Sequence, residues 1–184
     1  MSPPHSHLAL VGLMGSGKST VGRLVADAAR IGLVDVDDTI RERTGRSVEE
    51  LWREGGEAAY RPLELDVVVE ALDPARPAVL AAPGGAVDDP GAVAALAQDH
   101  VGIVYLRADP ELLAERIRAD PQLRPLLGTD PVGVLADQHA RRDERYESLA
   151  HVVVSIMDRT PEQVAEQILA TGLLDLGGPS RANG

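Results

Sequence analysis

One stretch near the start constrains the whole chain: Gly12-Leu13-Met14-Gly15-Ser16-Gly17-Lys18-Ser19-Thr20, preceded by an apolar run over 7–11 and followed by a helix-forming run from Val21. The spacing Gly-x-x-x-x-Gly-Lys-Ser between a buried strand and a helix makes a concavity of backbone N–H groups. The helix N-terminus adds its partial positive charge to the same place. A polyphosphate fits there, with Lys18 as a point charge on its outer phosphates and the Ser19 hydroxyl placed to ligate a bridging magnesium ion. The plainer alternative is a glycine-rich turn that contains Gly-Lys-Ser by chance.

Composition narrows the rest. A chain of 184 residues is long enough for one domain with its own core. That core must be built from Leu, Val, Ile and Ala, because aromatic residues make up only 2% and Phe is absent. The absence of Cys excludes disulfides and thiolate metal sites. No apolar run approaches the roughly 20 residues of a membrane span, and the first seven residues lack the basic and apolar regions of a signal peptide, so a cytoplasmic location is expected. A net charge of −11 argues against a nucleic-acid surface. Any small anion must therefore be met by arginines concentrated locally.

Apolar runs at 33–38, 77–82, 101–106 and 151–155 read as further strands, and helices are expected over 19–29, 39–44, 47–72, 90–97, 109–119, 132–149 and 160–173. Strands alternating with helices imply a three-layer α/β/α sandwich with a five-stranded parallel sheet. The core is expected at about 7–173, with a flexible tail over 174–184. The irregular, proline-rich segment 120–131 reads as a lid that delivers Arg124.

Asp35 and Asp37 alternate with apolar residues, so a strand would set both on one face, one near a metal's water and one able to accept a hydroxyl proton. Asp38 reads better as the cap of the following helix. Glu64, three residues after Arg61, is spaced to orient that arginine; by spacing alone a solvated surface pair is the plainer reading. Gly84-Gly85 ends a buried strand in a loop where backbone N–H groups approach a ligand closely, or simply turns the chain. Arg141, Arg142 and Arg145 fit an exposed charged helix face.

In order from Leu8 to Leu173, these motifs resemble the shikimate kinase family. They are the phosphate loop, Asp35-x-Asp37, Arg-Thr-Gly-Arg-Ser at 43–47, Gly-Glu-x-x-Tyr-Arg at 56–61, Gly84-Gly85, Arg-Pro-Leu-Leu at 124–127, and Arg142 with Tyr146. The resemblance implies a P-loop NTPase fold of the nucleoside monophosphate kinase type. It also implies ATP-dependent phosphorylation of the shikimate 3-hydroxyl, with Mg2+ required and a monomer as the working form. It assigns Gly15, Ser16, Gly17, Lys18, Ser19, Thr20, Arg118, Arg124 and Arg159 to the nucleotide. Ser19, and Asp35 through water, are assigned to the metal. Asp37, Arg61, Gly84, Gly85 and Arg142 are assigned to shikimate, the two arginines gripping its carboxylate as bidentate forks. Lys18, Asp37 and Arg124 are the implied catalytic set, and Trp52 and Tyr60 fall where the family places aromatics beside the substrate ring. A related kinase for another hydroxy acid such as gluconate, or a silent nucleotide-binding homologue, is the alternative.

The chain departs from the pattern twice. Pro83 stands where the family usually has the first of three glycines, which removes an N–H and is expected to weaken or redirect acceptor binding. The spacing from Arg118 to Arg124 is also about one residue short of the pattern.

Overall fold

The short apolar runs become strands β1 His7–Val11, β2 Gly32–Asp35, β3 Ala78–Ala81, β4 Val101–Arg107 and β5 Val152–Ser155 in a computed structural model that describes residues 5–119 and 128–174. They form one parallel sheet in the order β2-β3-β1-β4-β5. The central strands β1 and β3 are buried at every position, whereas edge strands β2 and β5 are partly open. That contrast explains why the central strands read as continuous apolar runs.

The helices are α1 Lys18–Ala29, α2 Val36–Thr44, α3 Val48–Ala71, α4 Pro90–Leu96, α5 Pro110–Ala119, α6 Pro131–Leu149 and α7 Pro161–Ala170. α1 packs on α7 and on the sheet at β2 and β3, while α3, α4 and α6 form the other layer, so the sandwich is the one expected. Capping boxes start α3 at Ser47 and Glu50 and α7 at Thr160 and Gln163, as their spacing predicts. Among the described residues no helix is long and apolar enough to cross a membrane.

One boundary differs from the sequence reading in a way that moves a site residue. β2 stops at Asp35, and α2 begins at Val36, three residues early. The Asp35 side chain accepts from the Asp38 amide at 3.3 Å, so Asp35, not Asp38, caps the helix. Asp37 therefore stands in the first helical turn and does not share a strand face with Asp35.

α3 is interrupted at Gly56 (φ 64°, ψ −165°), which redirects the chain between Trp52 and Tyr60. Of the irregular segment expected at 120–131, Asp130 caps α6 and Pro131 opens it, whereas 120–127, including Arg124, lie outside the described residues. Of the expected tail, Leu174 is buried and bridges His5; the remainder lies outside the described residues.

Candidate active site

β1 delivers the chain into the phosphate loop, where Gly15 (φ 80°) and Gly17 (φ 86°) hold left-handed conformations that other residues adopt only with strain. Gly17 is the N-cap of α1 and offers no side chain to it, so the first amides of that helix remain for an incoming anion. The Ser16 hydroxyl is buried and has no hydrogen-bond partner among the described residues. Lys18 Nζ arches back to donate to the Gly12 carbonyl at 2.9 Å and the Leu13 carbonyl at 3.0 Å. Burial of this ammonium pushes it down to about 8, against the opposing pull of Asp37 and Asp35. Ser19 and Thr20 follow on the exposed face of the first turn.

The end of β2 meets this loop. The Ser19 hydroxyl donates to Asp35 Oδ2, pairing a hydroxyl with a carboxylate oxygen. These hard oxygen donors suit magnesium, which typically takes few protein ligands and completes its shell with water and phosphate. Asp37 is open to solvent as a residue, but its carboxylate lies among protein groups, with Oδ1 accepting from the Tyr60 hydroxyl at 2.7 Å. Loss of water pushes this carboxyl above its usual range, and Asp35 adds to the shift. The Tyr60 hydrogen bond and the Lys18 charge oppose it.

The opposite wall carries arginines. Arg61 donates to Glu64 at 2.6 Å and to Glu57 at 2.9 and 2.7 Å, and its guanidinium lies 5.9 Å from the Trp52 ring centroid. The orienting role expected of Glu64 is therefore shared with Glu57. Burial pushes Glu64 up to about 7 even though Arg61 pulls it down. Gly85 makes room for the guanidinium, since a Cβ there would stand 2.2 Å from Arg61 Nη1.

Arg142 does not belong to an exposed charged face. Its side chain is only 12% exposed, and Nε donates to Asp88 Oδ2 at 2.7 Å, while Arg145 holds Asp88 Oδ1 at 2.9 Å. The Tyr146 hydroxyl donates to the Gly84 carbonyl at 2.5 Å and ties α6 to the glycine loop. That loop lies beside the phosphate loop, close enough that a methyl added at Gly84 would meet the Gly12 carbonyl oxygen at 3.7 Å. Pro83 follows the last amide of this strand to bond β1, Ala82 to Leu10 at 3.0 Å, so the missing N–H takes nothing from that ladder.

Arg116 is the α5 arginine set against the phosphate loop, with Nη1 3.5 Å from the Gly15 carbonyl oxygen. It is half-buried where Arg118 is exposed. Residues two apart on a helix diverge by about 200°, so the two leave α5 in different directions. Arg159 is held near the end of β5 by the Ser155 carbonyl at 2.9 Å and Gln167 at 2.6 Å. Sequence reasoning missed Arg116 and Asp88; the only local signal for Arg116 was its position one helical turn after the buried Leu113.

With this geometry in view, the comparisons are specific. A family model described as shikimate kinase matches residues 14–172. The shikimate kinase of Mycobacterium tuberculosis (strain ATCC 25177 / H37Ra) is 41% identical over 176 residues, covering 94% of this chain and 96% of that protein. That of Thermobifida fusca (strain YX) is 40% identical over 159 residues, 86% of this chain and 90% of the relative. Among solved structures, shikimate kinase from Acinetobacter baumannii in complex with shikimate matches with a TM-score of 0.83 at 33% identity, over 90% of this chain and 91% of that one.

Proposed function

The chain belongs to the shikimate kinase family, and from that premise we propose that it transfers the γ-phosphoryl group of ATP to the 3-hydroxyl of shikimate, giving shikimate 3-phosphate and ADP. The observation that carries the reading is the neighbouring position of the two loops: the Gly84-Gly85 loop, flanked by Arg61 and Arg142, lies beside the loop that holds Lys18, within reach of a single added methyl. An acid gripped by the arginines is thereby presented beside a polyphosphate.

The residues divide the work by their chemistry. The loop amides at Gly15, Ser16 and Gly17, with Thr20, cradle the phosphates, and Lys18 neutralises charge as it moves toward the leaving ADP. Arg61 and Arg142 bind the shikimate carboxylate against Gly84 and Gly85. Asp37 takes the proton of the 3-hydroxyl as its oxygen bonds to phosphorus and the bond to ADP breaks. Arg124 neutralises charge on the transferred phosphoryl group, and Arg118 and Arg159 border the adenine. Ser19, and Asp35 through water, would hold Mg2+, which supplies charge neutralisation on the phosphates when bound. On this reading the protein works as a cytoplasmic monomer on two small molecules.

ADP release measured with Mg-ATP and shikimate, gluconate, quinate or no acceptor tests the reaction. Turnover with shikimate alone is expected, despite Pro83. Faster turnover with gluconate would overturn the substrate, and ATP binding without turnover on any acceptor would overturn the activity. A narrower prediction concerns Gly85→Ala, whose methyl would collide with Arg61. The KM for shikimate should rise by about tenfold or more, the equivalent of about 1.4 kcal/mol, while the KM for ATP stays unchanged. Equal effects on both constants would show that Gly85 supports the loop generally rather than Arg61.

A further inference from the structure

Tyr60 is almost fully buried, at 2% exposure, yet its hydroxyl reaches a carboxylate on another helix. It sits on α3 one residue before Arg61, past the redirection at Gly56, with its ring 6.1 Å from that of Trp52. A buried phenol that served only as packing would leave its O–H in need of a partner, at a cost. Here that partner is Asp37, the carboxylate whose charge Lys18 also feels.

We propose that Tyr60 is a positioning residue for phosphoryl transfer: its hydroxyl engages Asp37 Oδ1, fixes the rotation of the carboxylate, and leaves Oδ2 as the oxygen that receives the proton of the acceptor hydroxyl. The proposal rests on the reading of Asp37 as the base. Phenol and Asp37 cannot exchange these roles, because burial and the neighbouring Asp37 charge push the Tyr60 hydroxyl far above its ordinary range, so it remains a donor at every working pH. Because Tyr60 and Arg61 are consecutive, one turn of α3 sets both the oxygen of the base and the grip on the acid.

Tyr60→Phe removes only the hydroxyl and keeps the ring. At saturating ATP and shikimate, kcat should fall about five- to tenfold, the size of one lost hydrogen bond. The KM for ATP should not change. Site-specific 3-fluorotyrosine at position 60 keeps both the ring and the donor and should hold kcat near the wild-type value, which separates loss of the hydroxyl from loss of packing. In an Asp37→Asn background, Tyr60→Phe should cost nothing further in kcat, since it acts through Asp37.

If Asp37→Asn abolishes turnover but Tyr60→Phe keeps the wild-type kcat, the positioning role falls and the base reading stands. If Asp37→Asn turns over normally, the base reading falls and takes this role with it. A lowered Tm with an unchanged kcat identifies Tyr60 as packing alone and overturns the proposal.

Discussion

Lys18→Ala should lower kcat/KM for ATP by about 10²- to 10³-fold while leaving the fold intact, the range typical of removing one preorganised charge from a reacting centre. The fold survives because, among the described residues, Nζ bonds only to the carbonyls of Gly12 and Leu13, whose loop is shaped by its glycines and by packing against α5. Circular dichroism and Tm should match the wild type. The wild-type pH profile should carry a signature of the same group. Its ammonium titrates near 8 in the free protein because burial disfavours the charged form. Raising the pH through that value removes the positive charge, so kcat/KM for ATP should fall on the basic side. The alanine variant lacks the group and should show no such limb. Near-wild-type turnover, or a basic limb that persists in the variant, would remove Lys18 from the phosphate role.

What was legible in the chain was what local chemistry determines. The glycine spacing of the phosphate loop, the capping boxes at Ser47 and Thr160, and the left-handed stop at Gly45 each depend on neighbours within a few residues. The apolar strand runs were readable because both faces of a parallel sheet are covered. The start of α2 was misread by the same local logic. Alternation through Val36 suggested a longer strand, but a short carboxylate that can bond the Asp38 amide competes with the ladder and ends it.

The parts of the site that the sequence left open depend on partners far along the chain. Tyr60 meets Asp37 across 23 residues, Arg142 meets Asp88 across 54, and Arg116 meets Gly15 across 101. Spacing cannot identify such pairs. An arginine on an amphipathic helix reads as a solvated face until the tertiary fold supplies its carboxylate, as Asp88 does for Arg142. The same holds for Arg116 and Arg118, which helical spacing separates but does not rank. The resemblance supplied Arg61, Gly84 and Arg142 as a set, and the neighbouring position of the loops gives a physical reason for them to act together.

Asp37→Asn should abolish transfer while ATP affinity is retained, with kcat down by about 10²- to 10⁴-fold, the usual contribution of a general base. The substitution is nearly isosteric, and an amide oxygen still accepts from Tyr60, so the local structure has no reason to move. What is lost is a site for the proton, and the acid limb of kcat should vanish with it. A second consequence separates this account from a merely damaged site. The Asp37 charge helps keep Lys18 protonated. Neutralising Asp37 lowers the lysine further, so the basic limb in nucleotide binding should move below its wild-type position near 8. Equilibrium binding of ATP against pH, which needs no turnover, measures this directly. Substantial kcat in Asp37→Asn would exclude it as the base. An unmoved basic limb would show instead that the two groups do not share one electrostatic site, and that the acceptor and phosphate sides of the cleft are less tightly joined than the neighbouring position of their loops implies.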